Sequence, residues 1–268
     1  MSRPVAELPS ALQSIDAIEN RIQGKRIAVF LDYDGTLTPI VARPDLAVFS
    51  DETRRVVGEL ATLCPVTIVS GRDRKEVQSL VGIDPIAYVG SHGFDIVGPD
   101  GEERPHPESV GIPPILEALE GTLRNRLKEF PGITVQRKKY SLSVHYRGVI
   151  TEQVPDVERV LDEEVAARAE LRKTHGKKVF EIQPTIDWNK GKAVWYVLEL
   201  LGLDGPDAVP IYIGDDVTDE NALLAIRNRG IGIHVKDGAE RTAAHYTLAS
   251  PDEVRQFLRE LAGLLQEA

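Results

Sequence analysis

The sequence predicts an α/β fold: a doubly wound parallel sheet with an inserted α+β module. Three observations carry this. Short, β-branched apolar runs alternate with amphipathic helix patterns in the first stretch of the chain. The same alternation resumes at Lys190. Between the two stretches strand candidates cluster together, with helix candidates to one side.

Ser10–Ile22 carries Leu12, Ile15, Ile18 and Ile22 at helical spacing and predicts a short helix packed on the sheet. Ile27–Leu31 is wholly apolar, as a strand buried on both faces must be. Ser50 is placed to cap a helix over Asp51–Leu63. Strand Val66–Val69, helix Asp73–Val81 and strand Ile86–Val89 follow, and the Pro99-Asp100-Gly101 turn reads as part of a hairpin at the sheet's end. Pro105 and Pro107 mark a change of pattern. A helix from about Pro113 to Phe130 precedes strands Ile133–Arg137 and Tyr140–Arg147. A helix from about Thr151 to Glu170, a solvated turn from His175 to Lys178 and a last strand over Lys178–Gln183 complete the insertion. Helix Lys190–Leu201, strand Val209–Ile213, helix Asp219–Ile226, strand Gly230–Val235, the run Tyr246–Leu248 and helix Pro251–Leu265 restore the doubly wound order. The expected organisation is therefore a discontinuous core, 1–106 with 186–268, around an inserted module, 107–185.

At 268 residues, one core with a sizeable insertion is the natural reading. A net charge of -10 and a pI near 5.2 argue against a general nucleic-acid or anionic-membrane binder, though not against a local basic pocket. The single cysteine, Cys64, cannot form an intramolecular disulfide and fits the reducing cytoplasm as a packing residue. No apolar stretch is long enough to cross a bilayer, and the amino terminus shows no basic-then-apolar leader pattern.

Chemistry is expected where the strands end. Ile27–Leu31 runs into Asp32-Tyr33-Asp34-Gly35-Thr36, Val66–Val69 into Ser70-Gly71-Arg72, and Val209–Ile213 into Gly214-Asp215-Asp216 with Asp219-Glu220 beyond. Parallel strands bring their carboxyl ends to one edge, where open α/β sheets hold ligands. Convergent carboxylates repel unless a hard cation lies among them, and an oxygen-only set suits Mg²⁺ rather than zinc. Ser70 and its backbone amides suit an anion, and Lys190 supplies a point charge for phosphate. A carboxylate so offset can act as a nucleophile, with a second as acid and base. Plainer readings stand beside these. Ser70 could cap the next helix, Asp216 and Asp219 could face a helix dipole, Arg72 could pair with a nearby acid, and His92 could bond backbone.

The motifs Asp32-Tyr33-Asp34-Gly35-Thr36-Leu37, Ser70-Gly71-Arg72, Lys190-Gly191 and Gly214-Asp215-Asp216-Val217-Thr218-Asp219-Glu220 together resemble the haloacid dehalogenase superfamily of phosphatases. The resemblance implies Asp32 as nucleophile and Asp34 as general acid and base. It implies Mg²⁺ on Asp32, the Asp34 carbonyl and Asp215, supported by Asp216 and Asp219, with Ser70 and Lys190 on the phosphoryl group. Gly35, Thr36, Gly71 and Arg72, as members of these motifs, would contact substrate. The insertion lies where a C2-type cap stands in this superfamily. A short loop, Leu37–Phe49, occupies the place of the smaller cap common in phosphosugar mutases.

Within the insertion, Lys139–Arg147 alternates strictly: Tyr140, Leu142, Val144 and Tyr146 face one way, Ser141, Ser143, His145 and Arg147 the other. Glu181 alternates likewise with Phe180 and Ile182. An ordinary solvated strand face is the alternative reading. This stretch, with Thr38-Pro39-Ile40, Gly90-Ser91-His92-Gly93 and Glu181-Ile182-Gln183-Pro184, is similar to the trehalose-6-phosphate phosphatase family. Gln183 stands where that family often has Arg, and Asn189 where Asp or Ser is frequent. The resemblance implies trehalose 6-phosphate as substrate, with Lys139, Ser141, His145, Arg147 and Glu181 on the sugar and His92-Gly93 as a core contact. It also implies a functional pairing with the matching synthase. Other sugar phosphates (sucrose phosphate, mannosyl-phosphoglycerate, a hexose phosphate) and a non-catalytic sugar-phosphate sensor remain alternatives.

Overall fold

The computed structural model describes residues 2–41, 47–176, 178–235 and 241–267. Residues 42–46 of the Leu37–Phe49 loop and residue 177 of the predicted turn lie outside them. The chain divides into two units, residues 1–104 with 188–268, and residues 105–187.

The first unit opens with a two-residue strand, β1 (Arg3–Pro4), and a helix, α1 (Ile15–Ile22), preceded by a 3₁₀ turn over part of the predicted helix. The apolar run then forms β2 (Arg26–Asp32). Helix α2 (Asp51–Ala61) starts at Ser50, whose side chain accepts the Thr53 amide. Strand β3 (Val66–Val69), helix α3 (Arg74–Val81), strand β4 (Ala87–Gly90) and a short antiparallel strand β5 (Asp95–Val97) follow.

The second unit contributes helix α4 (Ile112–Arg126), strands β6 (Thr134–Arg137) and β7 (Leu142–His145), helix α5 (Val154–Ala166), and strands β8 (Leu171–Gly176) and β9 (Val179–Pro184). The four strands form an antiparallel sheet in the order β6-β7-β9-β8. β8 corrects the sequence reading. Helix α5 stops at Ala166, and His175 lies in a strand rather than a solvated turn. The strand has no apolar alternation to betray it. Lys173 pairs with Glu158 and Asp162 of α5, and His175 with Glu158, so its helix-facing side is polar. Leu142, Val144, Phe180 and Ile182 are buried as the alternation predicts.

The chain then returns to the first unit with α6 (Lys190–Leu200), β10 (Ala208–Gly214), α7 (Glu220–Ile226), β11 (Ile231–Val235), β12 (Arg241–Thr242), β13 (Tyr246–Leu248) and α8 (Pro251–Glu267). The large sheet has the order β13-β11-β10-β2-β3-β4-β5, parallel except at β5. The central strand β2 is thus flanked by β3 from before the insertion and β10 from after it.

The side-chain period of two splits this sheet into two packed faces. Ile27, Val29 and Leu31 join Ile211 and Ile213 in a core with α1, α2, α3 and α8. Ala28, Phe30 and Tyr212 lie on the other face, with α6 and α7. A fully buried side chain of this size contributes about 1.5–3 kcal/mol. Register sets the site: Leu31 pairs with Ile213 and Asp32 with Val69, so Asp32, Ser70 and Asp215 leave their strands at one level.

Candidate active site

Asp32 continues the parity of Ala28 and Phe30, toward the helix that begins at Lys190. Asn189 caps that helix by accepting the Lys192 amide. Lys190, the first helical residue, is buried and donates to Asp32 Oδ1 at 2.7 Å and to Asp219 Oδ1 at 2.6 Å. Burial alone would lower its pKa, but the charges of Asp219 and Asp32 raise it above the ordinary lysine value. The ammonium is therefore held charged.

Asp219 is wholly buried. Its Oδ1 also accepts the Tyr212 hydroxyl at 2.5 Å, and its Oδ2 accepts the Asp216 amide at 3.0 Å. Burial and the neighbouring Asp219 keep the Tyr212 phenol well above its ordinary pKa, so it stays a donor. Asp216 is different. Its Oδ1 accepts the Val217 amide and its Oδ2 the Thr218 hydroxyl, forming a capping box with Asp219 over the 3₁₀ turn Val217–Asp219. The helix-start reading of Asp216 thus describes what its side chain does, and Asp219 alone reaches Lys190.

Asp215 is buried, and its Oδ1 accepts weakly from the Thr36 hydroxyl at 3.4 Å. Gly35, at φ +85°, approaches it so closely that a Cβ there would lie 2.1 Å from Asp215 Oδ2. Glycine is required twice over at this turn, by conformation and by contact. Burial first, then the charges of Asp219 and Asp216, push the Asp215 carboxyl up to about 7. Burial, Asp219 and Asp215 likewise push Asp32 well above its usual range, against the pull of Lys190. Asp32, Asp215 and Asp219 each bring one oxygen within 4.8 Å of the others. One lysine faces three carboxyl groups whose joint ionisation burial and mutual repulsion oppose, and the donors are all oxygen. Such a set fits a hard divalent cation.

Asp34 points elsewhere. Both of its oxygens are taken by Arg72, Nε to Oδ2 and Nη2 to Oδ1, each at 2.7 Å. Arg72 also binds Glu76 at 2.6 Å and lies over the Tyr33 ring, 5.3 Å from its centroid. Ser70 does not cap α3, whose N-cap is Asp73; its Oγ accepts the Arg72 amide at 3.1 Å. This turn is braced by the next one. The Ser91 amide donates to Arg72 O and the His92 amide to Ser70 O. Ser91 and His92 both have positive φ. The His92 ring lies where a Gly71 Cβ would be, 2.5 Å from its Cε1. Gly93 O accepts the Trp188 indole N–H at 2.7 Å.

In the second unit, Ser143 and Glu181 are cross-strand partners, and the Ser143 hydroxyl lies 2.8 and 2.9 Å from the two Glu181 oxygens. His145 Nε2 is 3.1 Å from Gln136 Oε1. Ser141 is buried, Arg147 is exposed, and Lys139 lies over the Tyr140 ring. Sequence reasoning missed Tyr212 and Trp188. Tyr212 could have been found as the one hydroxyl-bearing ring in an otherwise aliphatic strand, on the parity that faces Lys190.

Comparison with known proteins bears on what this arrangement does. The trehalose-phosphatase family matches residues 30–252. The chain belongs to the trehalose-phosphatase family. It is 42% identical over 269 residues to the trehalose 6-phosphate phosphatase RA3 of Zea mays, across 95% of this chain and 74% of that protein. It is 41% identical over 288 residues to the probable trehalose-phosphate phosphatase 2 of Oryza sativa subsp. japonica, across 98% of this chain and 75% of that one. Among solved structures, a trehalose-6-phosphate phosphatase related protein superposes with a TM-score of 0.76 at 25% identity, covering 90% of this chain and 100% of that chain. The expected haloacid dehalogenase core and phosphatase class hold for this family member. Among the described residues no helix is long and apolar enough to cross a membrane.

Proposed function

We propose that this chain hydrolyses trehalose 6-phosphate to trehalose and inorganic phosphate in the cytoplasm, with Mg²⁺ as cofactor, and supplies a synthase-coupled route with its second step. The observation that supports it most is the Asp32–Lys190–Asp219 chain beside Asp215, in a sequence that matches the trehalose-phosphatase family over most of its length.

Asp32 is the nucleophile. Its carboxylate attacks phosphorus, the bond from phosphorus to the sugar C6 oxygen breaks, and Asp34 gives that oxygen a proton. Asp34 then takes a proton from the water that cleaves the aspartyl-phosphate, releasing phosphate and restoring Asp32. To serve, Asp34 exchanges the Arg72 guanidinium for the leaving oxygen. Lys190 and Ser70 hold the phosphoryl oxygens, and Gly35, Thr36 and Gly71 contact the substrate from the same turns. Asp32, Asp215 and the Asp34 carbonyl would hold Mg²⁺, supported by Asp219, and the ion would offset carboxylate charge and polarise the phosphoryl group. The inserted segment 107–185 is the substrate-selecting module. Lys139, Ser141, His145, Arg147 and Glu181 of that module read the sugar hydroxyls, and within the core His92-Gly93 is a substrate contact.

The test is phosphate release from trehalose 6-phosphate, glucose 6-phosphate and sucrose 6-phosphate, with and without Mg²⁺. Strong Mg²⁺-dependent preference for the trehalose ester is expected, because pockets that bond hydroxyls penalise their loss heavily. Equal slow turnover of all three would remove the substrate assignment and keep the chemistry. No turnover of any would move the reading to a sensor.

A further inference from the structure

Asp219 poses a question that the cluster alone does not answer. Its oxygen lies within 4.8 Å of those of Asp32 and Asp215, so geometry admits it as a third carboxylate ligand. A third carboxylate would change which ion the site prefers. Mg²⁺ keeps water and takes one or two carboxylates, whereas Ca²⁺ takes six to eight oxygens and tolerates flexible, bidentate ones.

The hydrogen bonds decide the matter. An ionised carboxylate accepts at about four positions. At Asp219, Oδ1 takes both Lys190 and Tyr212, and Oδ2 takes the Asp216 amide. Lys190 divides its donors between Asp219 and Asp32. The Asp216 amide sits on the other oxygen. Tyr212 gives its one donor to Asp219. It is fully buried in the middle of β10, opposite Phe30, in the face that packs on α6 and α7. Asp219 is also pressed on Gly214, where a Cβ would lie 2.5 Å from its Cγ, so the carboxylate is fixed from below.

We propose that Tyr212 is a positioning residue for the metal site: with Lys190 its hydroxyl fills Asp219 Oδ1, keeps that oxygen from direct or bidentate ligation, and so favours Mg²⁺ over Ca²⁺. This rests on the reading of the acidic cluster as a metal site. An aliphatic side chain would fill β10 as well as its neighbours do, and a buried tyrosine hydroxyl usually has a partner that matters. Here the partner is the one acid that must be held back.

The experiment is calorimetric titration of the whole chain, free of substrate, with Mg²⁺ and with Ca²⁺. It compares the unaltered protein, Tyr212→Phe, Asp219→Asn and the double variant, each checked by thermal melting. Phenylalanine keeps the ring and removes only the hydroxyl. Tyr212→Phe is expected to raise Ca²⁺ affinity relative to Mg²⁺ about tenfold, as one charge-assisted hydrogen bond is lost. The double variant is expected to lose that gain. Asp219→Asn is expected to weaken both ions while keeping their ratio within about threefold, as an outer-sphere support would. A folded Tyr212→Phe protein with an unchanged ratio would overturn the proposal. So would a larger change of ratio in Asp219→Asn, which needs no tyrosine variant to fold. An unaltered protein that binds Mg²⁺ but fails these tests loses only this proposal. One that binds neither ion loses the metal reading as well.

Discussion

The polar groups at the carboxyl edge of the large sheet and those on the inserted sheet are organised in opposite ways. At the large sheet, Asp32, Lys190, Asp219 and Tyr212 are buried and bonded in one continuous chain. On the inserted sheet, Ser143 bonds Glu181 and His145 bonds Gln136 across strands, as two pairs that meet where Gln136 lies opposite Ser143. Under the proposed function the first arrangement would carry the reaction and the second the recognition of the sugar.

The largest effect should come from breaking the first. Asp32→Asn is expected to reduce turnover about a thousandfold or more while the fold persists, measured by phosphate release alongside circular dichroism. Lys190→Met should damage stability as well as rate. Removing one partner of a buried ion pair costs about 3–5 kcal/mol, whereas the exposed Arg55–Glu59 pair should cost under about 1 kcal/mol. Urea unfolding of Lys190→Met and Arg55→Met checks the contrast, and equal losses would mean that the buried chain is no stiffer than a surface pair.

On the inserted sheet, Glu181→Gln is expected to raise KM for the trehalose ester about tenfold and to leave kcat within about threefold, since one charged hydrogen-bond acceptor is removed from recognition. A fall in kcat alone would move Glu181 from recognition to chemistry.

The smallest effect tests whether the core tolerates uncompensated charge away from the site. Burial, then the nearby Arg21 charge, pull the His245 imidazole down to about 4, and its Nδ1 accepts the Gly232 amide. The unfolded chain therefore binds this proton first. The stabilisation is complete above about pH 6.5 and is lost as pH falls from there through about 4. A contribution of about 1 kcal/mol is expected, discounted for partial exposure. It should appear as a difference in pH slope between the unaltered chain and His245→Gln in urea melts from pH 7.5 to 4.5.

Much of this was legible in the sequence because it repeats one device. An aliphatic strand followed at once by acids, or by Ser-Gly, is costly unless those groups meet a partner, so Asp32, Ser70 and Asp215 stood out. Lys190 followed from the helix start. Three things were not legible. Strand β8 hides because Lys173 and His175 face helix α5 through ion pairs rather than apolar contact. The Arg72 grip on Asp34 depends on side-chain directions across two turns. The division of labour between Asp216 and Asp219 depends on which oxygen meets which amide.

The topology carries one more consequence, for synthesis on the ribosome. Strand β2 can pair with β3 early, but its other edge waits for β10, which is made only after the whole insertion. Until then the nascent chain presents a long apolar strand with an open edge, the kind of template on which neighbouring chains pair. A ribosome adds about 5–20 residues per second, so this interval lasts several seconds at least. Lys190 and Asp215 emerge only at its end, so the buried polar cluster is assembled as the vulnerable edge is covered.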